Sequence, residues 1–198
     1  MLEALATLGR TMGFSLAAGV NLYATVAILG LASRYGWVEL PEQFKVFDNP
    51  WIIGGAAVLY AVEFVADKIP WVDSMWDSVH TLIRPIGGAV IAVASLGDAS
   101  PTMRGAIALL GGVVAAGSHI TKAGTRVAAN TTPEPFSNWI LSLVEDLFVI
   151  GLSFITLKYP LVALAISAVI VVLIAMTARS VWKWIARRQS AAGSVPTS

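Results

Sequence analysis

The stretch LVALAISAVIVVLIAM, residues 161–176, decides the class of fold, because it contains no charged side chain. The chain then stays uncharged as far as Arg179, and about 20 apolar residues are what a helix needs to cross roughly 30 Å of hydrocarbon. Of the 198 residues, 57% are hydrophobic and only 13% are charged. In soluble domains roughly a quarter of the residues are charged, about twice the fraction found here. The sequence therefore predicts an all-α integral membrane protein.

Working outward from this stretch, similar apolar runs predict six transmembrane helices, at 11–33, 51–67, 76–97, 104–127, 137–157 and 160–181. Turn-forming segments such as KIPWVD (68–73) and NTTPEP (130–135) separate them. The last helix runs into SVWKWIARR (180–188), which is typical of an interfacial anchor of aromatic and basic residues. We expect residues 189–198 to form a disordered cytoplasmic tail.

The charges predict the orientation of the chain and exclude several classes of function. Eight Lys and Arg fall on the side of the N-terminus and four on the other, which places both termini in the cytoplasm and the protein in a bacterial inner membrane. The first group is Arg10, Lys68, Lys122, Arg126, Arg179, Lys183, Arg187 and Arg188, and the second is Arg34, Lys45, Arg104 and Lys158.

A net charge of +1 argues against a nucleic-acid partner, and the lack of cysteine excludes disulfides and thiolate metal sites.

A faint internal repeat relates the two halves of the chain. AAG at 17–19 recurs at 115–117, and FVADKIP at 64–70 resembles FITLKYP at 154–160. These matches pair the first predicted span with the fourth, and the second with the fifth. Because that shift of three spans is odd, the copies must be inverted, with residues 1–98 and 99–188 as two inverted three-helix repeats. The alternative is that short apolar motifs recur by chance.

Two segments resemble a known family. LAAGVNLYATVAILGL (16–31) and VEFVADKIPWVDSMWDSVHTLIRPIGGA (62–89) are similar to a bacterial membrane family designated domain-of-unknown-function family 4126. The resemblance covers roughly residues 10–180 and is most specific over 63–88. It implies a small polytopic bacterial membrane protein and supplies no catalytic or binding residues.

An acidic stripe lies on the third predicted helix. Asp73, Asp77, His80 and Arg84 share one narrow face, because their spacing follows the helical period. Adding two carboxylates of the second helix predicts a cation or proton site of Glu63, Asp67, Asp73, Asp77 and His80. Asp73, Asp77 and His80 are its candidate metal ligands, and a divalent cation such as Mg²⁺ or Mn²⁺ is the cofactor that such ligands suit. The alternative is structural: ion pairs with Arg84 or Lys68, and Asp73 as a helix cap.

A basic stripe on the fourth predicted helix is the counterpart. His119, Lys122 and Arg126 share a face, and together with Arg84 they are candidates for holding an anion or a lipid headgroup. Alternatively, Lys122 and Arg126 extend to the cytoplasmic interface, and His119 is a packed, hydrogen-bonded residue.

Further polar residues are candidates for lining a pathway. Asn21 and Thr25 lie on a seam of small residues in the first helix, and Glu145 and Asp146 lie near the middle of the fifth. Ionisable groups inside the membrane are costly and face the protein interior or water, although a seam Asn is often only a packing contact. The featureless sixth helix and the small residues of GGAVIAVAS (87–95) suit lipid or a second copy, which predicts a homo-oligomer.

These features predict a small transporter or channel for an ion or small solute, with its pathway at the interface of the inverted repeats. An anionic-lipid-binding or lipid-moving protein and a non-catalytic partner subunit remain open as alternatives. An enzyme acting on a lipid phosphate is a further alternative that no catalytic motif supports.

Overall fold

Helices form the regular structure throughout residues 1–130 and 136–192, which the computed structural model describes. These ranges contain seven α-helices, one 3-10 helix and no strand. In chain order the elements are α1 (Leu2–Val20), α2 (Leu22–Arg34), the 3-10 helix (Glu42–Asp48), α3 (Pro50–Ala66), α4 (Pro70–Ala94), α5 (Pro101–Ala129), α6 (Phe136–Lys158) and α7 (Pro160–Ala192).

The first predicted span, 11–33, is not one helix, and that prediction is wrong. The chain is helical from Leu2, breaks at Asn21 and continues as α2. Asn21 has extended backbone angles (φ −146°, ψ 100°), and its side-chain oxygen accepts a hydrogen bond of 2.9 Å from the Ala24 amide. Asparagine is a preferred N-cap because its short side chain satisfies a free amide of the first turn. The same residue therefore ends α1 and begins α2.

The other five predicted spans each correspond to one helix, with different ends. α4 begins at Pro70 rather than at residue 76, because proline fits the first position of a helix and the charged turns that follow lower the local hydropathy. α7 continues to Ala192, so residues 189–192 are helical rather than disordered. The rest of the predicted tail, 193–198, and most of the predicted NTTPEP turn lie outside the described residues.

α1 lies in the middle of the bundle, where it contacts α2, α4, α5, α6 and α7. Two close approaches explain this packing. A Cβ atom added at Gly19 of α1 would collide with the carbonyl of Ala115 on α5. A Cβ atom added at Gly88 of α4 would collide with the side chain of the same Ala115. Small residues let helix backbones approach closely in membranes, so α1, α4 and α5 meet at one point.

Length and composition allow several of the described helices to cross a membrane. α5, α6 and α7 each qualify alone, and the 3-10 helix with α3, bent by 65°, makes a fourth candidate. Most of α7 is exposed and apolar, while Ala163 and Ser167 on its inner edge are buried. This is the pattern of a helix that faces lipid on most of its surface.

Candidate functional site

The broken end of α1 is the point around which the charged residues gather. A helix leaves its last carbonyls without amide partners, and in hydrocarbon such groups must find other donors. Here the Val20 carbonyl accepts from Lys122 Nζ at 3.3 Å, and the Leu16 carbonyl, just before these last groups, accepts from Ser118 Oγ at 2.9 Å. The Gly19 carbonyl accepts from Arg84 Nη1 at 3.4 Å. Two cations therefore lie at the negative end of the α1 dipole, where they are stabilised.

Arg84 joins α4 to three other helices. Its guanidinium is fully buried, with Nη2 2.8 Å from Glu63 Oε1 and Nη1 3.2 Å from Asp77 Oδ1. Nη1 also lies 2.7 Å from Nδ1 of His119. Because arginine can only donate, Nδ1 must accept, which makes His119 a neutral imidazole protonated at Nε2. Its Nε2 then donates to the Thr81 hydroxyl at 3.2 Å.

Lys122 of α5 is enclosed by three carboxylates. Its ammonium lies 3.2 Å from Asp67 Oδ2, 3.4 Å from Glu63 Oε1 and 3.5 Å from Glu145 Oε2. Its side chain is only 2% exposed, so it does not reach the interface. A buried lysine needs such partners to remain charged.

Arg126, one turn further along α5, uses its donors on four groups. Nε and Nη2 bind Glu145 at 3.1 and 2.6 Å, and Nη2 also lies 3.1 Å from Asp67 Oδ2. Nη1 donates to the Asp67 carbonyl at 2.8 Å and to the Asn138 carbonyl at 3.3 Å. The alternative in which Lys122 and Arg126 extend to the cytoplasmic interface is wrong, because Arg126 too is only 1% exposed.

Asn21, Thr25 and Asp146 lie at the edge of this cluster. Thr25 donates to the Asn21 carbonyl at 2.8 Å, a bond local to α2. The Asn21 amide lies 3.5 Å from Asp146 Oδ1, while the neighbouring Glu145 faces the α5 cations. Adjacent helical residues project about 100° apart, which explains why the two carboxylates have different partners.

Lys68 lies at the edge of the cluster, in the turn between α3 and α4. Its ammonium sits 3.1 Å above the centre of the Phe64 ring and donates to the Phe64 carbonyl at 2.8 Å and to Ser142 Oγ at 3.3 Å. Partial burial lowers the pKa of Lys68, and the charges of Asp146 and Asp67 oppose that shift. The alternative of a direct Lys68 ion pair with Glu63 or Asp77 is not what the structure has, since both carboxylates meet Arg84.

The acidic and basic stripes thus meet, but their charges do not balance. Three buried cations, Arg84, Lys122 and Arg126, face six largely buried carboxylates: Glu63, Asp67, Asp73, Asp77, Glu145 and Asp146. Counting Lys68 as a fourth cation still leaves two more carboxylates than cations. A purely structural ion-pair network explains the contacts of Glu63, Asp67 and Glu145, but it does not account for the surplus.

Asp73 is the carboxylate with the weakest pairing. Its side chain is fully buried, yet neither oxygen has a hydrogen-bond partner among the described residues, and Arg126 Nη1 lies 4.0 Å from Oδ1. Asp73 does not hold the N-cap position, which belongs to Ile69, but it lies in the first turn of α4, as the alternative of an anion at the helix N-terminus expects. Asp73 and Asp77 both line a cavity of about 180 Å³ between α4 and α5.

His80 does not join Asp73 and Asp77 as a third metal ligand. Its Nδ1 donates to the Trp76 carbonyl at 2.7 Å, so its Nε2 accepts from the Tyr23 hydroxyl at 2.8 Å. In the part of the chain that the structure describes, no three His, Asp or Glu side chains are grouped as metal ligands. The triad predicted from spacing is therefore not assembled, because Tyr23 of α2 engages the imidazole.

The sequence patterns overlooked the hydroxyl groups of this region. Ser74, Ser78 and Thr81 line the same cavity as Asp73 and Asp77, and Tyr23 binds His80. A signal existed, because the three α4 hydroxyls follow the acidic residues at spacings of one to four. A pattern of titratable side chains does not include these hydroxyl groups.

The comparisons with known proteins identify the family. A model of the family described as a domain of unknown function (DUF4126) matches residues 8–180. The chain belongs to the DUF4126 family. The resemblance inferred from residues 16–31 and 62–89 is thereby confirmed, and the matched segment contains the whole charged cluster. No curated protein and no solved structure matches this DUF4126 chain.

Proposed function

We propose that this DUF4126 protein is a small transporter or channel that moves an ion or small solute across the membrane, with a cation or protons bound at the charged cluster. The observation that carries the proposal is the surplus of buried carboxylates, six against three buried cations, around the broken end of α1. Unpaired charges inside a membrane are costly, so a surplus is retained where it binds something exchangeable.

The break between α1 and α2 supports the same proposal. In many carriers, a discontinuous helix places its half-helix ends and free carbonyls at the binding site, near the interface of inverted repeats. Here the break lies where α1 meets α5, the helices that carry the AAG matches. α5 is continuous at His119, which the repeat aligns with Asn21, so only the first copy has the break.

The proposed topology has six spans: α1 with α2, the bent pair of the 3-10 helix and α3, and then α4, α5, α6 and α7 each alone. In this scheme the two three-helix repeats are inverted, both termini are cytoplasmic and the bilayer is the bacterial inner membrane. A homo-oligomer would form through the exposed apolar surfaces. α4 is included although its charges lower its hydropathy, because its charged face is buried and much of its remaining surface is exposed and apolar.

The anionic-lipid hypothesis has less support, because its cations are already engaged. Arg84, Lys122 and Arg126 each contact at least two carboxylates, and none presents a free face to a headgroup in the described residues. A phosphate would have to displace an existing ion pair in a negatively charged region. No specific observation favours the enzyme or the partner-subunit alternative.

Currents from proteoliposomes on a solid-supported membrane test the proposal without knowledge of the solute. We expect charge movement after a concentration jump in at least one of H⁺, Na⁺, K⁺ or Mg²⁺, and its loss in the Asp73→Asn/Asp77→Asn variant. The exposed Asp98 supplies a matched control, since Asp98→Asn removes a carboxylate outside the cluster. Movement that survives the double substitution would contradict the role of the cluster. No movement of any of these ions by correctly folded wild type would contradict the transport proposal itself.

A further inference from the structure

A cavity between α4 and α5 is lined by two of the six carboxylates, Asp73 and Asp77. Its volume is about 180 Å³, well above the roughly 10–15 Å³ that one water molecule requires. α4 lines it with five oxygen-bearing side chains: Asp73, Ser74, Asp77, Ser78 and Thr81. α5 closes the opposite wall with Ala123, Val127 and Arg126. The space can hold an ion together with part of its hydration shell.

Asp73 lies on the wall of this cavity, and its carboxylate is not hydrogen-bonded elsewhere among the described residues. It is buried, it lines the cavity, and both of its oxygens lack a hydrogen-bond partner among the described residues. Asp77 also makes no hydrogen bond through its carboxylate to a described residue, although Arg84 lies 3.2 Å from Oδ1. Glu63, Asp67 and Glu145, in contrast, each accept hydrogen bonds from the buried cations.

The three hydroxyl groups are oriented to offer lone pairs rather than protons. Ser74 donates to the Pro70 carbonyl, Ser78 to the Ser74 carbonyl and Thr81 to the Asp77 carbonyl, at 3.0, 2.8 and 3.0 Å. Each hydroxyl proton is thereby used within α4. Ser74 also accepts from the Asn130 amide at 3.4 Å and Thr81 from His119 Nε2 at 3.2 Å, which leaves each of these two oxygens one further lone pair for a cation or its water. Pro85 has no amide proton, so the usual helical hydrogen bond to the Thr81 carbonyl is also missing.

Arg126 is the one cation on the cavity wall, and its donors point elsewhere. They bind Glu145, the Asp67 carboxylate and carbonyl, and the Asn138 carbonyl. At 4.0 Å from Asp73 Oδ1 it reduces the negative potential without forming a hydrogen bond. Arg84 likewise divides its charge between Asp77 and Glu63. The six carboxylates outnumber the three buried cations by three, and Arg84 and Arg126 are already included in that count.

We infer that this cavity binds a hydrated divalent cation of the magnesium type, with Asp73 and Asp77 as its carboxylate ligands and the α4 hydroxyls bound to its water. Mg²⁺ gives up water reluctantly and is held through one or two carboxylates, which matches two acids and three hydroxyl groups on the α4 side of this cavity. This inference deepens the proposed function, since the ion would be the one bound at the transport site. Binding is measurable without transport, so the two ideas can fail separately.

The test is equilibrium binding of Mg²⁺ to the full-length protein, purified in mild detergent and dialysed against EDTA. Thermal unfolding followed by tryptophan fluorescence reports binding, because a ligand of the folded state stabilises it by RT ln(1 + [L]/Kd) and so raises the midpoint once its concentration passes Kd. MgCl₂ is titrated at constant ionic strength against choline chloride, in the wild type and in the Asp73→Asn, Asp77→Asn and Asp98→Asn variants. We expect the midpoint to rise with the logarithm of the MgCl₂ concentration above Kd in the wild type and in Asp98→Asn. Asp73→Asn should weaken the apparent Mg²⁺ affinity about tenfold or more.

The site does not bind a divalent cation if Mg²⁺ leaves the wild-type midpoint unchanged. Equal shifts with NaCl would mean general screening and would equally overturn the inference. A midpoint that rises only on acidification would identify a proton as the ligand, which contradicts the cation site but leaves a proton-coupled transporter in place. Should Asp73→Asn fail to fold, Asp77→Asn and Ser74→Ala/Ser78→Ala carry the test. Magnesium binding with no transport current would refute the proposed function alone.

Discussion

Replacing Arg84 with methionine removes the cation that Glu63, Asp77 and His119 share. Methionine keeps much of the volume, so the change is chiefly one of charge. Glu63 would retain only Lys122, at 3.4 Å, and Asp77 would lose the partner at 3.2 Å. The surplus of carboxylates over buried cations would rise from three to four. Because breaking a buried pair leaves an uncompensated charge, we expect a loss of about 3–5 kcal/mol in unfolding free energy.

A second substitution tests whether Arg84 and Glu63 stabilise each other. Glu63→Gln in the Arg84→Met background returns the surplus to three, and glutamine can still accept from Lys122. We therefore expect the double variant to be more stable than Arg84→Met alone, with a coupling energy of about 2 kcal/mol. Reversible unfolding in mixed detergent micelles, followed by tryptophan fluorescence, measures the unfolding free energies of the wild type, the two single variants and the double variant.

The control is Arg34→Met, which breaks an exposed pair with Asp48. There the charged atoms are 3.7 Å apart and the side chains are 43% and 39% exposed, so the change should stay within about 1 kcal/mol. If Arg84→Met costs no more than this control, the pairs do not stabilise the fold. If the two substitutions are simply additive, Arg84 and Glu63 do not interact as the structure indicates.

Three further outcomes are expected. Asn21→Ala removes the cap of α2 and should cost about 0.5–2 kcal/mol in the same unfolding assay; an unchanged midpoint would mean that the cap is unimportant. Gly19→Ala should cost about 1–3 kcal/mol because its Cβ meets the α5 backbone, whereas Gly117→Ala, with only an ordinary contact, should be neutral or stabilising. In intact cells, a membrane-impermeant maleimide should label Gln43→Cys but not Glu3→Cys; the reverse pattern would invert the proposed orientation.

The helices were largely predictable from the sequence, because apolar length alone constrains a membrane span. Five of the six predicted spans match single helices, and Pro50, Pro70, Pro101 and Pro160 begin four of them. The break at Asn21 was not predictable from local pattern. Gly19 lies next to it, but a single glycine is common inside membrane helices, and the free carbonyls at the break are held by Arg84 and Lys122, far away in sequence. A local window cannot contain that information.

The helix face on which the charged residues of the candidate site lie was predictable from the sequence, but their ion-pair partners were not. The spacing of Asp73, Asp77, His80 and Arg84 placed all four on one face, and all four are buried. Which carboxylate meets which cation depends on how α4 and α5 are aligned along each other, and one-dimensional spacing does not specify that alignment. Tyr23 could not be assigned to His80 for the same reason, because its position follows from the break that begins α2.

The end of α1 has a consequence for the order in which this protein is made. Arg84 and Lys122, which bind the carbonyls of Gly19 and Val20, leave the ribosome long after α1 and α2. Until α4 and α5 are inserted, those carbonyls must stay hydrated or be bonded within an unbroken helix that continues through Asn21. In the second case, a nascent chain stopped after α3 would lack the discontinuity altogether. The break would be a product of late assembly, and its appearance would mark the moment at which the two halves of the protein join.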